Sequence, residues 1–468
     1  MHKSSKKSST KAKESNTKKE RRKKITQFEI IRPNVAGIDV SDNAGMMVAY
    51  PINDTDIVID EFDCYTRDLR ELSATLKFHG IESVAMESTG VYWVPLFLLL
   101  QEEGFEVYLV NSKHVKNVTG RKSDDEDAEW IQKLHRCGLL SASFQPDNQT
   151  RALRSVVRHR DSLVKTRSTY LNRMQKALEL MNIKVHTVLS DIDGASGLRI
   201  IDAILAGERK AETLADLCDV RVKASREEII KSLEGFWFGE HLFELSQCYK
   251  MYQYHNELIK ECELKIEKIL MEIIVSKNDG VLPDIDEKEK LKRKSKYKND
   301  ICIDVVNHLY TITGVDIAGT EGITGISGVT ALGIFSEIGC DGLKRFKNEK
   351  HFTSWLGLAP NTKESGGKII SSRVPKKKHH AGQRFRMAAM GLRSNKGPLG
   401  DYYRKLRAVA GAPKATVALA RKLAVIYYRM MTDKSKYNPQ TLIDYQEKCK
   451  ERKIKYHERC LKKLKQAA

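Results

Sequence analysis

The chain has 468 residues, enough for two or three domains with sizeable cores, and a formal net charge of +20 with a sequence pI near 9.4. That balance points to nucleic acid as a partner. No apolar run reaches membrane-span length and the N-terminus lacks the apolar centre of a signal peptide, so a cytoplasmic protein is expected. Nine cysteines, scattered without CxxC or Cys/His ligand spacing, argue against zinc and against a disulfide framework.

In chain order, Met1 to Gln27 carries eleven Lys/Arg against two Glu, a net +9, and almost no large apolar residues. It cannot supply a core and reads as a disordered arm, either solubilising or holding phosphates non-specifically. VAGIDVS follows, a β-branched run ending in Asp39. With the alternating stretch Met46 to Ile52 it predicts a central strand and a hairpin partner. A helix over about Thr66 to Phe78 leads to SVAMESTG, which places Glu87 at a second strand's C-terminal end. Ligands bind at that edge in open α/β sheets.

In KSDDEDAEWIQKL, Ser123 caps a helix whose residues Asp124 and Asp127, three apart, share a face, while Asp125 and Glu126 point elsewhere. A lone Asp after a strand is more often a turn residue, and acids early in a helix more often complement its dipole. Taken together in a βββαβα-like order, Asp39, Glu87, Asp124 and Asp127 favour a ribonuclease H or RuvC-like fold. Such a cluster suits hard cations such as Mg²⁺, and two ions about 4 Å apart clamp the attacking and leaving oxygens of a phosphate displacement.

Thr150 to Ile183 predicts a long helix for core packing or dimerisation, or, second, a basic face that contacts a nucleic acid strand. After a break at Ser190 to Gly197, further helices reach about Ser276, and Gly280 to Asp300 reads as a charged linker. In GITGISGVTALGIFSEIG, Gly325 and Gly328 precede an apolar helix as in helix-hairpin-helix elements, whose N–H groups can meet a phosphate. Beyond FTSWLGLAP lies ESGGK. Between Lys368 and Arg386 there are seven Lys/Arg and no acid; Lys368, Arg373, Lys376, Lys377, Lys378 and Arg384 are candidate nucleic-acid contacts. Ser365, flanked by glycines and followed by these cations, could attack phosphorus, although such a loop is more often a plain turn.

GIDVS, MESTGVYW, KSDDEDA, ITGISGVTAL, the SEIG-to-RF stretch, FTSWLGLAP and ESGGK, in that order over roughly Asn34 to Tyr428, closely resemble the DEDD transposases of bacterial insertion sequences, the "IS one-ten" group. The resemblance implies an α/β RuvC-like N-terminal domain, a helical, coiled-coil-like middle and a mainly helical C-terminal transposase domain. The expected divisions are residues 1–30, 31–147, 148–305, 306–435 and 436–468. It maps the four acids onto Asp39, Glu87, Asp124 and Asp127 with Mg²⁺, and a catalytic serine onto Ser365. It further implies donor and target DNA paired to a structured bridge RNA, and dimers that assemble into a tetramer. Ser123 stands where the family commonly has Thr, and the N-terminal tail, the helical middle and the basic end from Gln446 exceed the shorter members. Two rivals remain. A junction-resolving nuclease would use the acids with water, and a non-catalytic binder would use only the basic surface.

Overall fold

The structure, a computed structural model, describes residues 29–41, 45–53, 56–88, 90–111, 124–278, 300–375 and 379–439, with isolated residues further on; of Asp124 and Asp125 only the backbone is described. The basic tail Met1 to Gln27, Ser123, nearly all of the 280–300 linker, Lys376, Lys377, Lys378 and most of the C-terminal tail lie outside the described residues. The chain divides into two compact units, Met1–Gln145 and Pro146–Ala468.

The first unit is built on a five-stranded sheet of β1 (Val35–Asp39), β2 (Met46–Pro51), β3 (Ile57–Phe62), β4 (Ser83–Glu87) and β5 (Glu106–Val110), in the order β3-β2-β1-β4-β5. The hairpin pairs β1-β2 and β2-β3 are antiparallel; β1-β4 and β4-β5 are parallel, as their helical crossovers require. Helices α1 (Thr66–Phe78) and α2 (Trp93–Glu102) form those crossovers. Alternation along the strands sorts the two faces. Ala36, Ile38, Val84, Met86 and Leu109 pack with Leu72, Leu76, Leu96 and Leu100 in one core, while Ala85 and Val110 meet Ile131 of α3 (Asp124–Arg136) on the other face. This mixed sheet with helices on both faces is consistent with an RNase H-like domain.

The second unit is almost wholly helical. α4 (Asn148–Leu180) and α8 (Gly239–Lys277) are long partners, and three short helices, α5 (Ala195–Leu205), α6 (Ala211–Ala215) and α7 (Arg226–Leu233), lie between them in sequence. Residues 153, 157, 160, 164, 167, 171, 174 and 178 of α4 alternate steps of four and three, the seam of a coiled coil; each is buried or half-buried. Arg160 pairs with Glu263, Arg167 donates to Asn256 Oδ1 (2.8 Å) and the Tyr170 ring lies 5.3 Å from that of His255, so the two helices run antiparallel. At one end of the pair, Met174, Leu178, Leu245 and Tyr249 join Ile200, Ile204, Leu214 and Leu233 in a core of their own.

At the other end, Leu153, Val157, Ile266 and Leu270 enter a larger core. The remaining elements build it: α9 (Val305–Thr313), α10 (Gly328–Ile338), α11 (Glu349–Trp355), a two-stranded hairpin of β6 (Lys363–Ser365) and β7 (Lys368–Ser371), α12 (His380–Gly391), α13 (Pro398–Ala410) and α14 (Ala412–Asp433). Its centre is aromatic: Phe352, Phe385 and Tyr427 are fully buried, with ring centroids 5.8 Å apart for Phe385 and Tyr427.

Among the described residues, no helix is long and apolar enough to cross a membrane.

Candidate active site

Asp39 and Glu87 are the last residues of two neighbouring parallel strands, β1 and β4. Ile38 pairs with Met86 in the ladder, so the two acids stand one step beyond, side by side at the sheet's C-terminal edge and about 5 Å apart along the hydrogen-bonding direction. Counting back by twos through Gly37 and Ala85 puts both on the face that α3 covers. Glu87 is buried at 5 % exposure and Asp39 is half-buried.

Gly37 decides where α3 lies. A Cβ at this position would stand 2.3 Å from the Gln132 amide nitrogen and 2.5 Å from the Ala128 carbonyl oxygen, so the helix backbone rests directly on the strand and only glycine permits it. Gln132 Nε2 donates to the Val35 carbonyl (3.3 Å), which fixes the direction: moving from Val35 toward Asp39 along β1, the helix runs from Gln132 back toward its start. Four helical residues rise about 6 Å, close to two strand residues, so the Asp124–Asp127 turn lies over the level of Asp39. Asp127 is half-buried there, while Glu126 is exposed. Asp124 opens the helix, but its side chain lies outside the described residues. Among the described residues no three His, Cys, Asp or Glu side chains are gathered to hold a metal ion. The candidate donors are all carboxylates, the set that suits Mg²⁺ rather than zinc or copper.

The far end of α3 is pinned by a buried polar contact that no sequence motif announces. His135 Nε2 lies 2.8 Å from Ser83 Oγ, and Ser83 donates to the Glu106 carbonyl (2.9 Å), so the imidazole nitrogen is the donor to the serine. The His135 ring packs 4.6 Å from that of Tyr108, on which the Arg32 guanidinium stacks. Burial, with the Arg32 charge beside it, lowers the imidazole to about 4. Ser83 and His135 are thus a neutral clasp, and the serine's proton is directed away from the histidine.

In the second unit, Ser365 sits at the tip of the β6-β7 hairpin, paired with Lys368. The two loop residues, Gly366 and Gly367, have φ of 58° and 74°, the left-handed pair that a two-residue type I′ turn demands. Neither would meet another atom with a Cβ, so the glycines serve backbone conformation alone. Residues 361–370 are all exposed, including Ser365 and Lys368. The hairpin base is closed by the Asn361 N–H to the Arg373 carbonyl (3.1 Å), and Arg373 is itself exposed. Arg384 is placed differently from Lys368 and Arg373. Its guanidinium is paired with Asp161 and packed against Gly333.

Gly325 has φ of 90°, and an added Cβ would stand 2.6 Å from Leu392 Cγ; it serves a turn and a close packing. Gly328 is the first residue of α10, after Ser327, whose hydroxyl accepts from the Thr330 N–H (3.3 Å). The same helix holds a buried acid from the SEIG segment. Glu337 is 4 % exposed and accepts from Nε and Nη2 of Arg158 (2.8 and 2.9 Å), with Arg154 Nε at 3.3 Å. Burial alone would raise its carboxyl, yet the Arg158 hydrogen bond and the two positive charges bring it below the usual range. An acid inside the otherwise apolar run GVTALGIFSEI is the sequence signal for such an anchor.

Two family models match this chain. A DEDD transposase model matches residues 36–183, spanning β1 through α4, and a model described as the transposase IS116/IS110/IS902 family matches residues 320–404, spanning α10, the Ser365 hairpin and α12. No curated protein sequence matches. The acids at the sheet edge and the serine hairpin each fall within one of the two matched segments, and the chain belongs to the IS110 family of DEDD transposases.

Proposed function

We propose that this transposase moves its own element by RNA-guided strand exchange, with Asp39, Glu87, Asp124 and Asp127 as its metal-binding acids and Ser365 as its nucleophile. The observation that carries the reading is the sheet edge: two strand-end carboxylates in neighbouring parallel strands, with the acidic first turn of α3 laid over them through Gly37. Bound Mg²⁺, in a pair of ions, would supply positive charge to the attacking and leaving oxygens. The four acids would hold that charge against the phosphate they would otherwise repel.

Ser365 Oγ would form a bond to phosphorus as the bond from that phosphorus to one deoxyribose oxygen breaks. The hydroxyl proton passes to a carboxylate or to solvent, and the departing oxygen takes up a proton. The phosphoserine ester keeps the bond energy, and attack by a new deoxyribose hydroxyl reverses the step and rejoins the strands. An exposed hairpin tip suits this role, because a scissile phosphate in a DNA backbone must reach the hydroxyl.

Lys368 and Arg373, with Lys376, Lys377 and Lys378, would hold phosphate oxygens near the serine. Gly325 and Gly328 shape the start of α10, where N–H groups lack helical acceptors. Arg384 would act only through the Asp161 pair that holds α12 to α4. A structured bridge RNA would choose donor and target by base pairing while the protein reads backbone and shape. Two copies would meet at each exchanged site, and the family resemblance implies a tetramer in the full complex.

Purified protein on a nicked substrate decides the chemistry. Strand exchange should require Mg²⁺, and wild-type protein should carry covalently attached DNA that survives denaturation. Ser365→Ala should lose both the adduct and exchange while keeping DNA binding, since one small neutral side chain adds little to a contact dominated by charge. Exchange by Ser365→Ala, or cleavage without an adduct, would make water the nucleophile and favour the junction-nuclease reading. Full activity in RNA-free protein would remove the guide.

A further inference from the structure

We propose that the outward face of α4, between residues 162 and 176, binds the phosphate backbone of duplex DNA. This rests on the DNA-acting family alone and not on the metal and serine chemistry. Between Val157 and Met174, α4 puts no fully buried apolar residue into either large core, and only half-buried Tyr170 and Leu171 pack against the nearer one. Polar contacts add to its narrow apolar seam, the buried Arg160–Glu263 pair and the Arg167–Asn256 bond. This middle of the α4/α8 pair is a two-helix neck, with solvent on the side of α4 away from α8.

The residues on that side follow the helical repeat opposite the seam: Lys165, Thr166, Thr169, Asn172, Arg173 and Lys176, all exposed. No acid occurs between Asp161 and Glu179, and both flanking acids are occupied, Asp161 by Arg384 and Glu179 by His186 at 3.0 Å. Outward positions of a coiled coil ordinarily mix signs. The exposed face of α8 does so, with Glu257 and Glu261 beside Lys260, Lys265 and Lys268. α4 is therefore single-signed where its partner helix is not.

The threonines between the cations carry no charge, and the hydroxyls of Thr166 and Thr169 donate back to the carbonyls of Ser162 (3.1 Å) and Lys165 (3.2 Å). The Arg173 guanidinium rests 5.4 Å from the Tyr170 ring centroid, which holds it against the helix. Lys165 to Lys176 spans about 16 Å of helix, the axial rise of several phosphates in one strand. No aromatic ring lies among these outward residues to stack an unpaired base, which favours a duplex over a single strand.

The test uses the full-length chain and duplex DNA of arbitrary sequence, with affinity followed by fluorescence anisotropy across a salt series. Lys165→Ala/Arg173→Ala/Lys176→Ala should bind more weakly, and its slope of log K against log salt should be shallower by about three, one for each phosphate no longer neutralised. Far-UV circular dichroism and a thermal melt report the fold, and the single reversal Lys165→Glu supplies a second variant with the same expected direction. An unchanged slope in the folded triple variant overturns the proposal. So does a weakening confined to duplex RNA, which would make the face an RNA contact.

Discussion

Gly37→Ala tests whether α3 is set on the sheet by contact at one glycine. The new methyl would start 2.3 Å from the Gln132 nitrogen, whereas an ordinary van der Waals contact begins at 3.4 Å, so the helix must retreat by about 1 Å or the strand must bend. Overpacking of that size costs about 1–3 kcal/mol, a melting shift of several degrees for a unit this small. The functional cost is the larger effect. Asp127 rides on the helix while Asp39 and Glu87 ride on the strands, and a displacement of about 1 Å between reacting groups costs on the order of a hundredfold in rate. The expected outcome is a folded protein, measured by thermal melt, with DNA strand cleavage reduced about a hundredfold and DNA binding near normal. Gly37→Ala with wild-type cleavage would refute the placement of α3, and with it the argument that brings its first turn to the sheet edge.

The same site predicts that Asp39→Ala, Glu87→Ala and Asp127→Ala each nearly abolish strand exchange, with double variants little worse than single ones, because the acids act as a unit; a folded single variant with full activity removes that residue. Glu337→Gln leaves Arg154 and Arg158 without their buried anion and should destabilise the second unit by about 3–5 kcal/mol, read by urea denaturation; a change under about 1 kcal/mol would mean that the pair is solvated. His135 stays neutral in the fold down to about pH 4, while the unfolded chain takes up a proton below pH 6.5, so stability present above pH 6.5 is lost as pH falls toward 4, by about 3 kcal/mol in all. Melting of His135→Gln should be correspondingly flatter over that window, and a parallel decline in both proteins would assign the acid sensitivity elsewhere.

Much of the first unit was legible because its code is local. The β-branched run ending at Asp39, the helical stretch Thr66 to Phe78 and the run ending at Glu87 appear as β1, α1 and β4, each specified by periodicity within a few residues. What the sequence concealed is long-range. Nothing near Gly37 announces Gln132, 95 positions on, and nothing near Ser83 announces His135, 52 positions on. The α4/α8 pairing was hidden for the same reason: each seam reads as an amphipathic helix, and which residue faces which is fixed by cross-helix contacts such as Arg160–Glu263 and Arg167–Asn256. Arg384 and Lys368 look alike in a basic stretch, yet one is held by Asp161 and the other is exposed, since an ion pair depends on a helix more than two hundred residues away.

Candidate acids can therefore be read from strand ends and a helix start, but their alignment depends on residues with no charge to offer. Gly37 admits the helix, Gln132 reads the Val35 carbonyl to set its register, and the Ser83–His135 clasp holds its far end. Each of these contacts lies along α3 from its middle to its last turn, so each can shift the first turn without touching it. The serine hairpin needs less support: Gly366 and Gly367 fix its tip by φ alone, and Ser365 is exposed along with both strands' neighbouring residues. One chemical group is thus held by packing and the other by turn geometry, which is why substitutions around α3 should cost position as well as stability, whereas Gly366→Ala should cost only the turn.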